Sequence, residues 1–231
     1  MDNRGTKIFV MDVIAIVIFA IYCIALSADL FAIAQNLPLY LIALSAIIGY
    51  ILADFLSGFV HFLGDTFGSE TTPIIGAAFV QPFRKHHTDP EDITKHGFVE
   101  TNGHNCLVSI PVMIIMAHVL VKYAVVSVAA GFAFATSYFL ILGVFLTNQF
   151  HKWAHMKHTP APIRFLQRSR LILSPAHHKI HHTSPYTRYF CITTGWLNFT
   201  LDRLLFFPIA KFTIRRIPFM LKTAEEYTKT P

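Results

Sequence analysis

Four long apolar segments place the strongest constraint on how this 231-residue chain folds. A helix needs roughly 20 mostly apolar residues to cross the hydrocarbon core of a bilayer. Such segments are predicted over residues 8–28, 39–63, 105–122 and 128–150. Hydrophobic residues make up 54% of the chain and charged residues only 14%, which excludes an ordinary soluble domain. The sequence therefore predicts an all-α, polytopic integral membrane protein with about four transmembrane helices, forming a single membrane-embedded domain over residues 1–231.

The distribution of Lys and Arg predicts the orientation, because basic residues accumulate in cytoplasmic loops. Arg4 and Lys7 precede the first predicted span, whereas the connection 29–38 has no basic residue. The loop 64–104 carries three basic residues, and the tail 151–231 carries thirteen of the nineteen. We therefore expect both termini, this loop and this tail on the cytoplasmic face, where they form a histidine-rich cap.

The net charge of +6 indicates which surfaces the chain contacts. Basic residues beside a membrane favour anionic lipid head groups, and the segment after Asn198 mixes Phe and Leu with Arg and Lys, which is typical of an interfacial segment. Nucleic acid is the weaker interpretation, because the basic residues form no separate domain. We predict membrane lipids as partners and no nucleic acid.

Most of the thirteen histidines form dense clusters. His151 and His155 in NQFHKWAH are four residues apart, so that on a helix their Cβ atoms lie about 5–6 Å apart on one face. The run SPAHHKIHH repeats this spacing twice, on two adjacent stripes of one helix. Adjacent imidazoles repel each other when protonated and gain little otherwise, so the clusters favour metal binding over a structural role.

The predicted topology brings nearly all histidines to one side of the membrane. Asp65 stands four residues after His61, where its carboxylate could ligate a metal or orient an imidazole. His118 falls near the opposite end of the third span, and we predict that it is not a ligand.

The ligand types limit the choice of metal. Imidazole suits iron, zinc and copper, whereas the three isolated cysteines argue against a structural zinc finger. The zinc-protease motif HExxH is absent. Nine or ten histidines on one face could give each of two ions four or five ligands and leave an open position. Haem between histidine pairs stays an alternative, although haem needs no adjacent histidines at a helix end.

Four strings in the chain resemble one family: HFLGDTFGS, FRKHHTDPEDITKHGFVETNGHNC, NQFHKWAH and HHKIHHTSPYTRYFCITTGWLN. They are similar to the lipid desaturase family that includes Kua, bacterial CarF and animal plasmanylethanolamine desaturase, from about Asp54 to Asn198. The resemblance implies an O2-dependent oxidoreductase with two non-haem iron ions and a catalytic acidic position at Asp65. His104 replaces an acidic residue of the animal members. The metal ligands that the resemblance implies are His61, His86, His87, His96, His151, His155, His177, His178, His181 and His182. His178, His181 and His182 complete the His-x-x-His-His box without His177.

The same resemblance implies a reaction and its partners. Members convert a 1-alkyl ether phospholipid, plasmanylethanolamine, to the vinyl ether of plasmalogens. No G-x-G-x-x-G fingerprint is present, so two electrons are expected from an external donor such as cytochrome b5 or a ferredoxin. A basic rim is a hypothetical docking surface for that donor, or a site for the lipid phosphate: Arg84, Lys85, Lys179 and Arg188. A phospholipid acyl-chain desaturase or hydroxylase on the same histidine framework stays an alternative, as does a non-enzymatic membrane regulator.

Overall fold

The computed structural model describes residues 3–72 and 76–216, and all regular structure among them is helical. Eleven α-helices occur in these ranges, with π-helical turns at Gly76–Val80 and Met116–Leu120. In chain order the helices are α1 (Asn3–Ala34), α2 (Leu39–Thr66), α3 (Gln81–Thr88), α4 (Asp92–Lys95), α5 (Phe98–Ile115), α6 (Val121–Ala124), α7 (Val128–His155), α8 (Ala161–Arg168), α9 (Pro175–His181), α10 (Asn198–Arg203) and α11 (Phe206–Ile214). The prediction of an all-α fold is confirmed.

Four helical segments of the described chain are long and apolar enough to cross a membrane: Gly5–Ala34, Leu39–Thr66, Phe98–Ala124 and Val128–His155. The third consists of α5, the second π-helical turn and α6. The prediction of a multi-pass membrane protein with four such helices is confirmed. Each segment is longer than the span predicted from the sequence. Because roughly 20 residues suffice to cross the hydrocarbon core, the 28 residues of α2 and of α7 leave about two turns beyond that length.

Local signals in the sequence explain where two of these segments begin. Gly97 precedes α5, and its backbone N–H donates to Glu100 Oε2 at 2.9 Å, which satisfies a donor that the first turn leaves open. Ser127 precedes α7, and its hydroxyl accepts from the backbone N–H of Ala130 at 3.4 Å. Gly97 and Ser127 therefore mark the starts of the third and fourth apolar segments.

The chain divides into two compact units, and the first comprises residues up to Asp54 together with His96–Lys152. Its core contains buried Phe19 and Leu26 of α1, Met113 of α5 and Phe134 of α7. Within it Asp12 of α1 is buried, and its Oδ1 lies 3.2 Å from Nδ1 of His104 on α5. This pair gives a buried carboxylate a polar partner inside an apolar bundle.

The second unit comprises Phe55–Lys95 and the residues from Trp153 onward. Its core is aromatic and is built on Phe62 of α2, Phe190, and Phe207 of α11. The short helices α10 and α11 expose Phe199, Ile209 and Phe212, as expected of an interfacial segment, but that position stays a prediction. Residues 217–231 of the predicted tail and 73–75 of the predicted loop lie outside the described residues.

Candidate metal centre

The last turns of α2 and α7 each present two candidate ligands. His61 and Asp65 lie one turn apart on α2, and His151 and His155 lie one turn apart at the end of α7. Side chains four residues apart share a helix face, so each helix offers its two groups in one direction. His61 and His151 are both buried.

Two short helices present adjacent histidines. α3 starts with Pro82 in its first turn and ends with His86, His87 and Thr88. α9 starts with Pro175, and the Ser174 hydroxyl accepts from the backbone N–H of His177 at 3.3 Å. Proline in the first turn and serine at the N-cap both favour helix initiation. The Ser-Pro pair therefore starts a helix that carries His177, His178 and His181, and His182 follows directly after it. A segment of this length would not form a helix alone in water.

Four imidazoles of the second unit form the first group: His86, His155, His178 and His182. One ligand atom from each lies within 4.8 Å of the others. His182 Nε2 lies 2.8 Å from His86 Nε2 and 3.0 Å from His178 Nε2. His178 Nε2 lies 2.9 Å from His155 Nε2. The Nε2 atoms of four side chains, which come from α3, α7 and α9 and the residue after α9, therefore converge on one point.

The second group combines three imidazoles with one carboxylate: His61, Asp65, His87 and His181. Asp65 Oδ2 lies 3.0 Å from His87 Nε2 and 3.4 Å from the Nε2 atoms of both other histidines. His61 and His181 are fully buried, and Asp65 is largely so. A carboxylate is thus enclosed by three imidazoles inside the second unit.

Backbone carbonyls set the proton positions in this second group. His61 Nδ1 lies 3.1 Å from the Phe190 oxygen, and His181 Nδ1 lies 2.9 Å from the Arg188 oxygen. A carbonyl oxygen only accepts, so each Nδ1 carries the proton and donates it. The lone pair of each neutral imidazole is then on Nε2. The Nε2 atoms of His61 and His181 both face Asp65. Carbonyl partners of this kind are typical of metal-bound histidine.

The contacts around Asp65 lack the geometry of hydrogen bonds. Neither oxygen of Asp65 hydrogen-bonds to any described residue, and the same is true of His181 Nε2 and both ring nitrogens of His87. Buried polar atoms are normally paired, so this cluster requires an explanation. Ligands around an ion at about 2.1 Å lie about 3.0 Å apart at right angles and about 3.4 Å apart at tetrahedral corners. The observed spacings match, and both groups fit metal ions.

Burial keeps the first group in the form that binds metal. Burial, and next the neighbouring His155, lower the pKa of His182 to about 3. The same two causes lower the pKa of His86 far below its ordinary value. Since a metal ligand must be a neutral imidazole, both side chains are ready to bind a cation at neutral pH.

Comparison with known proteins decides the family. Residues 50–217 match the lipid desaturase domain. The chain belongs to the lipid desaturase family. It is 46% identical over 203 residues to plasmanylethanolamine desaturase of Myxococcus xanthus, covering 87% of this chain and 70% of that protein. It is 45% identical over 165 residues to plasmanylethanolamine desaturase 1 of Mus musculus, covering 70% of this chain and 60% of that protein. It is 35% identical over 162 residues to the chloroplastic fatty acid desaturase 4 of Arabidopsis thaliana, covering 69% of this chain and 47% of that protein. No solved structure matches.

Membership confirms the resemblance found in the sequence and makes the chain an oxidoreductase of lipid metabolism. This lipid desaturase spans about half to two thirds of the length of the mouse and plant relatives.

His96 and His177, which both have a predicted ligand role, belong to no candidate metal group of the described residues. His96 is half exposed, its Nδ1 lies 3.6 Å from Glu100 Oε2, and its backbone oxygen accepts from Lys152 Nζ. His177 Nε2 accepts from Asn198 Nδ2 at 3.1 Å. His96 lies outside the groups because its imidazole is beside Glu100, which caps α5. His177 lies outside them because it points away from its neighbour His178 on α9. A ligand role for either residue therefore has no geometric support.

His118, which was predicted not to be a ligand, and His104 have contacts of another kind. His118 packs edge-on against Tyr22, with ring centroids 6.5 Å apart, and His104 pairs with Asp12. Neither belongs to a candidate metal group of the described residues.

Sequence reasoning missed three groups that contact histidines of the site: the carbonyls of Arg188 and Phe190 and the side chain of Asn198. A carbonyl has no side-chain identity, so no residue pattern could have pointed to the first two. Asn198 lies at the end of the matching string TTGWLN, which was its only signal.

Proposed function

We propose that this lipid desaturase uses two iron ions and O2 to convert a 1-alkyl ether phospholipid to its vinyl ether. The observation that carries the proposal is the pair of buried histidine groups, one of which includes a carboxylate. Relatives at 45–46% identity named plasmanylethanolamine desaturase support the ether-lipid substrate. The whole chain would act as a single membrane-embedded domain.

The two ions would be held by different residue sets. One would bind His86, His155, His178 and His182, and the other His61, Asp65, His87 and His181. His151, one turn before His155 on the same face of α7, is a further ligand in this proposal. Imidazole and carboxylate are a donor set that suits non-haem iron.

Bound ferrous iron would supply the redox chemistry that couples reduction of O2 to oxidation of the alkyl chain. One hydrogen leaves each of C1 and C2 of that chain, and the double bond forms beside the ether oxygen. The two hydrogens, two electrons and two protons reduce O2 to two waters. The electrons must come from an external donor, such as cytochrome b5 or a ferredoxin.

The protein's own residues prepare the site for this reaction. The carbonyls of Arg188 and Phe190 hold the imidazoles of His181 and His61 in the tautomer that presents Nε2. Burial of these imidazoles excludes water, which strengthens electrostatic interactions in the site and protects reactive species. Asp65 is the proposed catalytic carboxylate, because it would touch the metal and supplies a negative charge that balances the cation.

The electron donor would dock on the cytoplasmic face. Lys85, Lys179 and Arg188 of the basic rim are exposed, whereas Arg84 donates to the Gly68 oxygen at 2.6 Å. A basic surface favours acidic electron carriers through faster association. The cytoplasmic orientation rests on the distribution of Lys and Arg along the chain.

A second candidate is desaturation of a phospholipid acyl chain. The observation that favours it is the 35% identity to the chloroplastic fatty acid desaturase 4. Both reactions use the same histidine framework and differ in the lipid that is oxidised.

Lipid mass spectrometry before and after mild acid hydrolysis tests the proposal. Cells fed a 1-alkyl lipid precursor would express the wild type, His178→Ala, or the control His158→Ala, which changes an exposed histidine outside both groups. We expect acid-labile vinyl ethers from the wild type and the control, and none from His178→Ala. A new acyl double bond with unchanged alkyl ethers would support the second candidate. Equal vinyl ether levels with His178→Ala would overturn the proposed site.

A further inference from the structure

A short segment, Arg188 to Cys191, supplies the hydrogen-bond acceptors for two proposed ligands. The Arg188 oxygen accepts from His181 Nδ1 and the Phe190 oxygen accepts from His61 Nδ1. Because both acceptors belong to this one segment, which we call the 188–191 segment, its position decides the tautomer and orientation of both imidazoles. Any residue that fixes the segment therefore acts on the second metal group.

The backbone of the 188–191 segment adopts a conformation that its sequence does not favour. Tyr189, between the two acceptor carbonyls, has φ of 61°. A non-glycine residue in this left-handed region costs on the order of 1–3 kcal/mol and persists only when its surroundings hold it. The segment consequently needs anchors outside itself.

Asn198 is one such anchor, and it makes two hydrogen bonds to the segment. It is fully buried at the start of α10. Its Oδ1 accepts from the Cys191 N–H at 2.8 Å, and its Nδ2 donates to the Cys191 oxygen at 3.0 Å. One side chain thus pairs with both polar groups of the residue that follows Phe190. The Ser57 hydroxyl of α2 accepts from the next backbone N–H, that of Ile192, at 3.0 Å.

Glycine at position 58 lets the segment approach α2. A Cβ there would collide with Cys191 Sγ and would lie 3.0 Å from its backbone nitrogen. Gly58 stands three residues before His61 on the same helix, so the 188–191 segment and a proposed ligand are fixed to one rigid element.

His177 completes the arrangement by occupying the remaining donor of Asn198. The second hydrogen of Asn198 Nδ2 points to His177 Nε2 at 3.1 Å. Gly195, with φ of 76°, lies against that imidazole, and a Cβ there would come within 2.6 Å of Nε2. The ring of His177 also packs on Tyr189, with centroids 5.0 Å apart. The lone pair that a metal would need is engaged by the amide.

We propose that Asn198 and His177 are positioning residues, which fix the 188–191 segment so that His61 and His181 present Nε2 to the second metal group. This inference rests on the proposed metal centre. It assigns His177 a role in orienting ligands in place of the ligand role expected from the sequence.

The first test reads the tautomers in metal-free protein. The full chain is labelled with 15N-histidine, and the imidazole signals of His61 and His177 are assigned with single His→Gln variants. We expect His61 as the Nδ1–H form in the wild type and a mixture of tautomers in Asn198→Ala. A pure Nδ1–H form of His61 in both proteins would overturn the proposal.

The second test uses His177, where a milder change keeps the experiment decisive if Asn198→Ala does not fold. Glutamine offers an oxygen near the position of Nε2, so His177→Gln retains an acceptor for Asn198, whereas His177→Leu does not. We expect His177→Gln to bind metal like the wild type. We expect His177→Leu to weaken binding at the second group by about 10- to 100-fold. Equal loss of one metal ion in both variants would show that His177 is a ligand and overturn the proposal.

Titration of ferrous ions and of Co(II), read by its absorption spectrum, provides the binding data. Asn105→Ala is the matched control, because Asn105 is an amide that donates to the Val144 oxygen at 2.7 Å and belongs to neither candidate metal group. The ferrous-ion stoichiometry of the wild type tests the proposed function. The difference in metal affinity between His177→Gln and His177→Leu tests the positioning role. The tautomer of His61 in the metal-free protein tests that role even if the wild type binds no iron.

Discussion

Replacing Asp65 with asparagine separates a metal-binding carboxylate from a structural ion-pair partner. Asp65 Oδ2 lies 3.0–3.4 Å from three imidazole nitrogens, and none of these contacts is a hydrogen bond. Asparagine has nearly the same size, but its amide is neutral and its nitrogen donates two hydrogen bonds. The variant therefore keeps the shape of the site and loses the charge.

The expected effects on metal affinity and on stability have opposite signs. Loss of one interaction with a charged group costs about 1.5–3 kcal/mol. At 1.4 kcal/mol per tenfold, binding to the second group weakens by about 10- to 150-fold. In the metal-free protein the new amide can donate to the imidazole lone pairs that face it, a gain of about 0.5–1.5 kcal/mol per hydrogen bond. The melting temperature of the metal-free variant should therefore equal or exceed that of the wild type.

Anaerobic ferrous titration and thermal unfolding of the purified chain in detergent measure the two effects. Asp92→Asn is the matched control, because Asp92 pairs with Lys85 at 2.7 Å outside both metal groups. We expect this control to bind iron normally and to lose at most about 1 kcal/mol. Wild-type affinity in Asp65→Asn, or a large fall in its metal-free melting temperature, would show that Asp65 serves as an ion-pair partner of protonated histidine and would refute the reasoning.

Three further predictions follow from other residues. His104→Ala leaves Asp12 buried without its imidazole partner, so the melting temperature should fall by the equivalent of about 1–3 kcal/mol while the iron content stays constant; loss of iron would contradict this assignment. The metal-free chain should lose stability as the pH falls from about 6.5 toward 3. The folded state holds the pKa of His182 at about 3, so the unfolded chain binds a proton at a higher pH than the folded chain does. A melting temperature that does not change between pH 7 and 4 would contradict this prediction. Lys179→Glu should raise the electron-donor concentration needed for half-maximal rate without changing the iron content. The same change at Lys122, an exposed residue of α6 outside the basic rim, should leave that concentration unchanged. An unchanged donor concentration with Lys179→Glu would exclude Lys179 from the docking surface.

The helices and most of the candidate site could be predicted because their signals are local. Apolar length alone marks the spans, and the four-residue spacing of His151 and His155, or of His61 and Asp65, fixes which side chains share a helix face. The division of ligands into two groups was not predictable. His86 and His87 are neighbours in sequence, yet one approaches His182 and the other Asp65, because adjacent side chains on α3 point in different directions.

Tertiary contacts explain which features of the site the spacing of histidines does not indicate. His177 belongs to a four-histidine run, but Asn198, twenty-one positions later, engages its Nε2. His96 precedes α5, and its imidazole lies beside the capping residue Glu100. The spacing of histidines in the sequence does not distinguish this position from that of a metal ligand. The acceptor carbonyls depend on the left-handed conformation of Tyr189, which no residue type at that position indicates.

Counting iron in protein that makes product tests the central claim most directly. The purified chain would be reconstituted with ferrous ions, supplied with an electron donor, O2 and a 1-alkyl ether phospholipid, and assayed for vinyl ether beside metal analysis. The account predicts two iron ions per chain at full activity, and one or fewer in His178→Ala with no product. Full activity with one iron ion per chain, or with zinc in place of iron, would contradict it.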